Sequence, residues 1–301
     1  MAITLIATVV ALVLGHLAPS MVNAVRHFGW FESWLRGFNA RFHEGSAWHG
    51  RWGLLLALLP PLLLVLVFQL ALDEPMLGIP ALLFGTVVLV YCWGPRDLDL
   101  DVDAIVHAPD AASRRSAAAA LYAEDEPPSL EPARLVESVF RNALRRWFGV
   151  LFWFMVLGPF GALLYRLTVL AVDGPGSRLL PPATLAGARA LLKALEWPVA
   201  QLMTLSLALV SDFDAVLEAW RGNGGASFDV DARFLEAVAR ACVKSDLAEE
   251  VADYGETEGS PNALAVLGEL PELRDAMSLA WRALLAWLAV LALFVIAGFV
   301  A

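Results

Sequence analysis

The sequence predicts an all-α, polytopic integral membrane protein. Three observations carry that expectation. Residues Trp281–Ala301 form a nearly unbroken apolar run with Arg282 as the one charge, long enough to cross a hydrocarbon core of roughly 30 Å. Further apolar runs occur at Ile3–Leu17, Trp52–Leu72, Met76–Trp93, Phe148–Val172 and Leu191–Val210. The hydrophobic fraction of 59% exceeds the globular norm of about 45–50%. No stretch has a convincing strand pattern, and no internal repeat is visible.

Taken in order, Ile3–Leu17 lacks a basic n-region and a clear small-residue cleavage site, so it reads as a retained helix. The connection Asn23–Arg51 carries Trp30, Trp34 and Trp48, with Trp52 just beyond, which suits an aromatic belt and helices lying in the membrane interface. After the second and third apolar runs, Asp97–Arg146 is polar enough to live in water. DLDLDVDAIV reads as a helix entrance rather than a strand, because alternate aspartates are poor strand material and acids suit a helix N-terminus. Ala111–Tyr122 is alanine-rich helix, Glu124–Pro132 a loop, and Ala133–Trp147 a basic helix. Asp173–Ala183 has the Gly/Pro content of an irregular loop. Trp220–Ser227 reads as a turn. Asp231–Ala252 is an amphipathic helix with Phe234, Leu235, Val238, Cys242 and Val243 at helical spacing. Asn262–Met277 leads into the last run.

Charge gives an orientation. The net charge of −10 sits in Asp212–Ala280, which holds 15 acidic and 5 basic residues, while the remainder balances at 16 of each. Arginine is concentrated in Asn23–Arg51 and in Gly94–Trp147 and is missing from the Asp73-Glu74-Pro75 turn. The positive-inside bias then places both arginine-bearing loops in the cytoplasm, with the turn and the N-terminus outside. If Phe148–Val172 spans, Asp173–Ala183 is external and Arg166 lies near that external end. Leu191–Val210 is the weak span, since Lys193, Glu196 and Pro198 fall within it, and a charge near a helix centre costs about 2.5–3.5 kcal/mol. Six transmembrane helices are expected, or five if 191–210 lies at the interface. Residues 1–301 form a single membrane domain, with a cytoplasmic helical loop at 95–147 and an acidic helical segment at 212–280.

Within Val136–Leu167, Gly158-Pro159 interrupts the apolar run and Gly161 follows. Proline removes one backbone hydrogen bond and clashes with the previous turn, so the freed carbonyls need partners from neighbouring protein or a cavity. Either a broken helix lining a site or a packing kink fits. Glu137, Asn142, Tyr165 and Arg166 form a candidate polar cluster around the break. Arg166 is either a snorkelling arginine or a binder of an anionic ligand. Arg141, Arg145 and Arg146 suit anchoring to anionic lipid heads. Arg96-Asp97 suits a local ion pair at a helix start. No GxxxxGK[ST], GxSxG or HExxH motif is present. The five histidines are scattered, and Cys92 and Cys242 have no partner spacing, so neither a metal site nor a disulfide is indicated.

The block LFWFMVLGPFGALLYRL (Leu151–Leu167) resembles the "APLFW…GGPPGALAYK" signature of the CobD/CbiB membrane proteins of cobalamin side-chain attachment. The whole chain is more similar to AmpE, an inner-membrane relative linked to control of β-lactamase induction. Similar AmpE features are the Arg/Trp-rich first loop, the Gly94-Pro95-Arg96-Asp97-Leu98 run and the Leu195-Glu196-Trp197-Pro198 block, which resembles LDW-P-x-R-L. The enzyme-branch pattern "VESVAENTSDG" matches at Val136, Glu137, Ser138, Val139 and Asn142, but Arg141 stands for its acid and Leu144, Arg145 and Arg146 for its Ser-Asp-Gly. "NTLDSM" becomes Thr168–Asp173, the paired aspartates of "LDD" become Glu196-Trp197, and the arginine of "PAR" becomes Gln201. Carboxylates suited to metal–phosphate chemistry are thereby largely lost.

The resemblance implies a bacterial inner-membrane sensor or accessory protein in the cell-wall-recycling response, without catalysis. It implies candidate ligand contacts at Glu137, Asn142, Tyr165, Arg166 and Glu196. A muropeptide or other cell-wall-derived ligand, besides the bilayer, is the partner class it suggests; no nucleic acid is expected, and no cofactor is identified. A CobD-type enzyme making an amide-linked cobinamide or related product is the alternative. A lipid or muropeptide carrier built on the broken helix is a third.

Overall fold

The computed structural model describes residues 6–11, 26–43, 45–72, 78–93, 97–123, 126–227, 229–258 and 270–297. Among these the fold is all-helical, and no strand occurs. Most of the N-terminal apolar run, the Asp73–Pro75 turn, Arg96 and residues 259–269 lie outside the described residues. The chain divides into two compact units. The first comprises Met1–Pro95, Arg145–Glu196 and Val290–Ala301, and the second Arg96–Leu144 and Trp197–Ala289.

In the first unit, α1 (Gly29–Arg41) buries Phe31 and Leu35. A 3-10 turn (Ala47–His49) then buries Trp48, whose indole donates to Asn39 Oδ1 at 2.6 Å. Leucine and valine fill α2 (Gly53–Ala71), which tolerates Pro60 and Pro61 in its interior. The shorter apolar α3 (Ile79–Cys92) starts with proline in its first turn. Both helices expose leucine and valine freely, for example Leu64 at 60% and Val87 at 63%. Runs of exposed aliphatic side chains of this kind mark a lipid or partner surface rather than a wetted one. Gly53–Ala71 and a second helix at 271–294 are the two described helices long and apolar enough to cross a bilayer.

The Phe148–Val172 run departs from the expectation of one span. It is two helices, α7 (Gly149–Leu157) and α8 (Pro159–Asp173), separated by Gly158 at φ 68, ψ −154. That backbone conformation is essentially restricted to glycine, and it reverses the chain instead of merely kinking it. The antiparallel register is visible in the contacts. Gly149 faces the ring of Tyr165, Gly161 faces the Trp153 carbonyl, and Arg145 pairs with Asp173. Asp173 thus returns to the level of Arg145, and Arg166 lies toward the open end of this hairpin rather than at the far end of a span. The following 3-10 segment (Pro175–Leu179) and the first half of α9 (Pro182–Val210) belong to the same unit. Thr184 Oγ1 donates to the carbonyls of Trp48 at 2.5 Å and Gly50 at 3.2 Å, and Asn39 donates to the Leu179 carbonyl. The Asp173–Ala183 connection is therefore bonded to the arginine-bearing first loop, not opposite it.

The second unit has two well-capped short helices. Asp97 accepts from Asp99 N ahead of α4 (Leu98–Val106), and Asp110 from Ser113 N ahead of α5 (Ala111–Ala118). This is the ordinary use of aspartate at an N-cap, and the bond holds the Asp110 carboxyl below its usual range. The basic helix α6 (Pro132–Ala143) buries Leu135, Val136, Val139 and Phe140. A helix not anticipated from sequence, α10 (Phe213–Gly222), is capped by Asp212. The amphipathic stretch forms α11 (Phe234–Glu258), packed on α6 and α10, with Phe234, Leu235, Val238 and Cys242 buried. In the last helix, α12 (Pro271–Ile296), Trp281 Nε1 donates to Asp99 Oδ1 at 2.8 Å.

Candidate functional site

A five-residue π-helical segment, Leu144–Phe148, joins α6 to α7. Such insertions are rare and recur at functional sites. Here it lies at the base of the hairpin and carries Arg145 and Arg146. Arg145 is the hub of the first unit. Its Nε donates to Glu196 Oε1 at 2.6 Å and its Nη1 to Asp173 Oδ2 at 2.5 Å, with Nη2 at 3.5 Å from Glu196 Oε2. The Glu196 side chain is 6% exposed and that of Arg145 23%. Burial works against the Arg145 charge, but the adjacent Glu196 and Asp173 carboxylates outweigh it and hold its pKa above that of free arginine. A two-carboxylate, one-guanidinium arrangement matches the fork geometry of arginine. Arg145 is therefore an interior ion-pair residue, not the lipid anchor expected from sequence.

Tyr165 is fully buried against Gly149, and the charges of Glu196, Arg145, Arg166 and Asp173 all act on it. Arg166, one residue on, is 2% exposed and its Nε donates to the Cys92 carbonyl at 2.7 Å, at the C-terminus of α3. The tip of the hairpin is held by a residue that sequence reasoning missed. Gln69 of α2 donates from Nε2 to the Leu157 carbonyl at 3.2 Å and accepts from Phe160 N at 3.1 Å. One amide side chain thus partners a carbonyl and an N–H on either side of Gly158-Pro159, as backbone interrupted in an apolar setting requires. Its signal in the sequence was a lone glutamine in an otherwise apolar helix.

Of the expected cluster, Tyr165, Arg166 and Glu196 fall in the first unit with Gly158, Pro159 and Gly161. Glu137 and Asn142 belong to the second unit. Glu137, 3% exposed, is paired with Arg134 at 3.2 Å and with Arg240, and Asn142 donates to the carbonyls of Leu121 and Ser138, both at 2.8 Å. Both have the partners of a structural residue in α6. Arg141, also in that unit, pairs with Glu126 at 3.0 Å and Glu236 at 3.3 Å. Asp97 is an N-cap; Arg96 lies outside the described residues. Among the described residues, no group of three or more His, Cys, Asp or Glu side chains is arranged to hold a metal ion. Comparison with family models, with curated proteins and with solved structures returned no match in any of the three.

Proposed function

We propose that this chain is a multi-pass bacterial inner-membrane protein of AmpE type, a ligand-binding sensor or accessory protein in the cell-wall-recycling response that controls β-lactamase induction. The observation that carries the reading is the Arg145 bridge. Glu196 stands at the first of the paired aspartates of the resembling enzyme branch, and the hairpin brings Asp173 to the same guanidinium. Here a guanidinium lies between them and uses their oxygens. A cation already fixed on both carboxylates leaves them poorly suited to recruit magnesium and a nucleotide, which favours binding over turnover.

The hairpin also supports a specific topology. With the first and second arginine loops cytoplasmic, the Thr184–Trp48 bond keeps 173–184 on that side, and the Arg141–Glu236 pair does the same for the acidic segment. The 148–172 hairpin is then re-entrant, and Pro182–Val210 lies along the interface with both ends cytoplasmic. Four crossings remain: the N-terminal run, α2, α3 and α12.

Deletion of the gene tests the role. The expected result is altered β-lactamase induction or altered muropeptide pools on challenge with an inducing β-lactam. Both remaining at parental levels would remove this reading, and product formed from cobyric acid, magnesium and nucleotide by the purified protein would replace it with the enzymatic one.

A further inference from the structure

Within the second unit, the ion pair of Arg282 with Asp246 joins α12 to α11 beside a cavity of about 510 Å³. Asp246, Glu249 and Glu250 line it from α11, and Arg274, Asp275 and Arg282 from α12. The two aspartates are not equally served. Asp246 accepts from Arg282 Nη1 at 3.1 Å and from Ser211 Oγ at 2.6 Å. Asp275 Oδ1 is 3.8 Å from Arg282 Nη2, beyond hydrogen-bond reach. Its Oδ2 is buried and, among the described residues, has no hydrogen-bond partner, in a side chain 12% exposed. Arg282 also donates from Nε and Nη2 to Ser278 Oγ, both at 3.3 Å. The one guanidinium is therefore committed to Asp246 and Ser278, and Asp275 has the weaker hold on it. Burial without donors and a like charge nearby both disfavour an ionised carboxylate, and a proton relieves both. Asp275 lies in the charged opening of α12, ahead of the apolar run that begins at Trp281. There burial first, then the Asp246 carboxylate and less so Glu250, push its pKa up to about 7 against the pull of Arg282. Cys242, fully buried one turn before Asp246, is the other titratable group beside it, and burial pushes that thiol up to about 12.

We propose that Asp275 is the proton-binding member of a pH-operated latch between α11 and α12. Protonated, Asp275 leaves Arg282 to Asp246, and the two helices stay docked. Ionised, it competes with Asp246 for one guanidinium, and the carboxylates of α11 repel it across the cavity, so the contact loosens. The sign follows from linkage. The folded-state pKa of Asp275 lies above the ordinary aspartate value, so its contribution to docking is fully present below that ordinary value and is lost as pH rises through about 7. The cytoplasmic setting of the latch rests on the topology above; the carboxyl pair itself does not.

The test titrates the full-length protein, in an uncharged detergent, from acid through neutrality to alkali. Two readings are taken together: the infrared carbonyl stretch of protonated carboxyls, and hydrogen–deuterium exchange of α11 and α12 corrected for the intrinsic pH dependence of exchange. The wild type is expected to lose one carboxyl band with a midpoint near pH 7. Over the same range, residues 238–250 and 271–279 should come to exchange roughly tenfold faster, the factor that one pKa unit of linkage carries. D275N should lack the band and exchange at a rate independent of pH. D246N removes the like charge and should lower the midpoint by roughly one pH unit, whereas R282Q removes the cation and should raise it. If D275N does not fold, the opposite shifts in D246N and R282Q decide the matter. No carboxyl titrating near neutrality in the wild type, the same band in D275N, or midpoints unmoved in D246N and R282Q overturns the proposal. A titration that leaves the exchange of both helices unchanged overturns it as well.

Discussion

Replacing Arg145 by methionine removes the cation from between two carboxylates while keeping much of the side-chain volume. Two unit charges about 4 Å apart interact by about 4 kcal/mol at an effective dielectric of 20, and Arg145 makes two such contacts. Much of that attraction is offset by the cost of bringing the groups out of water, so the network as a whole adds little net stability. Breaking it is another matter, because Glu196 stays 6% exposed with a like charge on Asp173 nearby. R145M is expected to lose about 3–5 kcal/mol. E196Q, which keeps an acceptor for Arg145 and leaves Asp173 as a partner, should lose less, on the order of 1–3 kcal/mol. The double variant R145M/E196L should recover part of the loss, giving a non-additive cycle. The assay is unfolding of the detergent-solubilised protein, with helix content and tryptophan fluorescence read together. The pH dependence has a definite sign. Arg145 has a pKa above that of free arginine, so its contribution is fully present throughout the experimental range. A loss below about 1 kcal/mol, as for an exposed pair, or strict additivity, would refute the reasoning.

The hairpin tip makes two further predictions. Q69L leaves a carbonyl and an N–H at the break without their present partner and should cost about 1–3 kcal/mol, read as lost thermal stability with unchanged helix content. G158A forces a Cβ at φ 68, 2.8 Å from Gln69 Nε2, and should cost about 1–3 kcal/mol; a melting temperature equal to the wild type would mean that the chain does not reverse there. The topology is tested by S177C, in the 3-10 turn after the hairpin. A membrane-impermeant maleimide should label it only after permeabilisation, whereas labelling of intact cells would restore the single-span reading of 148–172. Background should be low, because Cys92 and Cys242 are both buried and burial pushes the Cys242 thiol up to about 12.

Much of the helical inventory was legible because period and capping are local. The DLDLDVDAIV stretch is helix for the reason expected, aspartates at its start, and the apolar positions of Asp231–Ala252 do face α6. What sequence could not supply was the sign of the turn at Gly158-Pro159. A proline kink and a reversal share the same two residues, and the choice between them depends on whether a distant side chain meets the opened backbone. Gln69 does so from 88 residues away. Once the chain reverses, Arg145 and Asp173, 13 residues before and 15 after Gly158, become neighbours, and the assigned roles shift with them. Arginine at a membrane boundary reads by default as a lipid anchor, since Coulomb pairing across an unseen hairpin leaves no local signature. The same reversal turns Arg166 from a snorkelling residue into a buried one. The polar residues that sequence singled out at the break were thus partly the right ones, assigned to the wrong neighbours. Glu137 and Asn142 were drawn into the cluster by adjacency in the chain, yet in α6 each has partners of its own, Glu137 buried and Asn142 half-buried. In an apolar chain the informative residues are the few polar ones that cannot reach water. Arg166 meets that condition, and the fold leaves its Nη2 without a partner among the described residues, while half-buried Gln69 and Arg145 find polar ones.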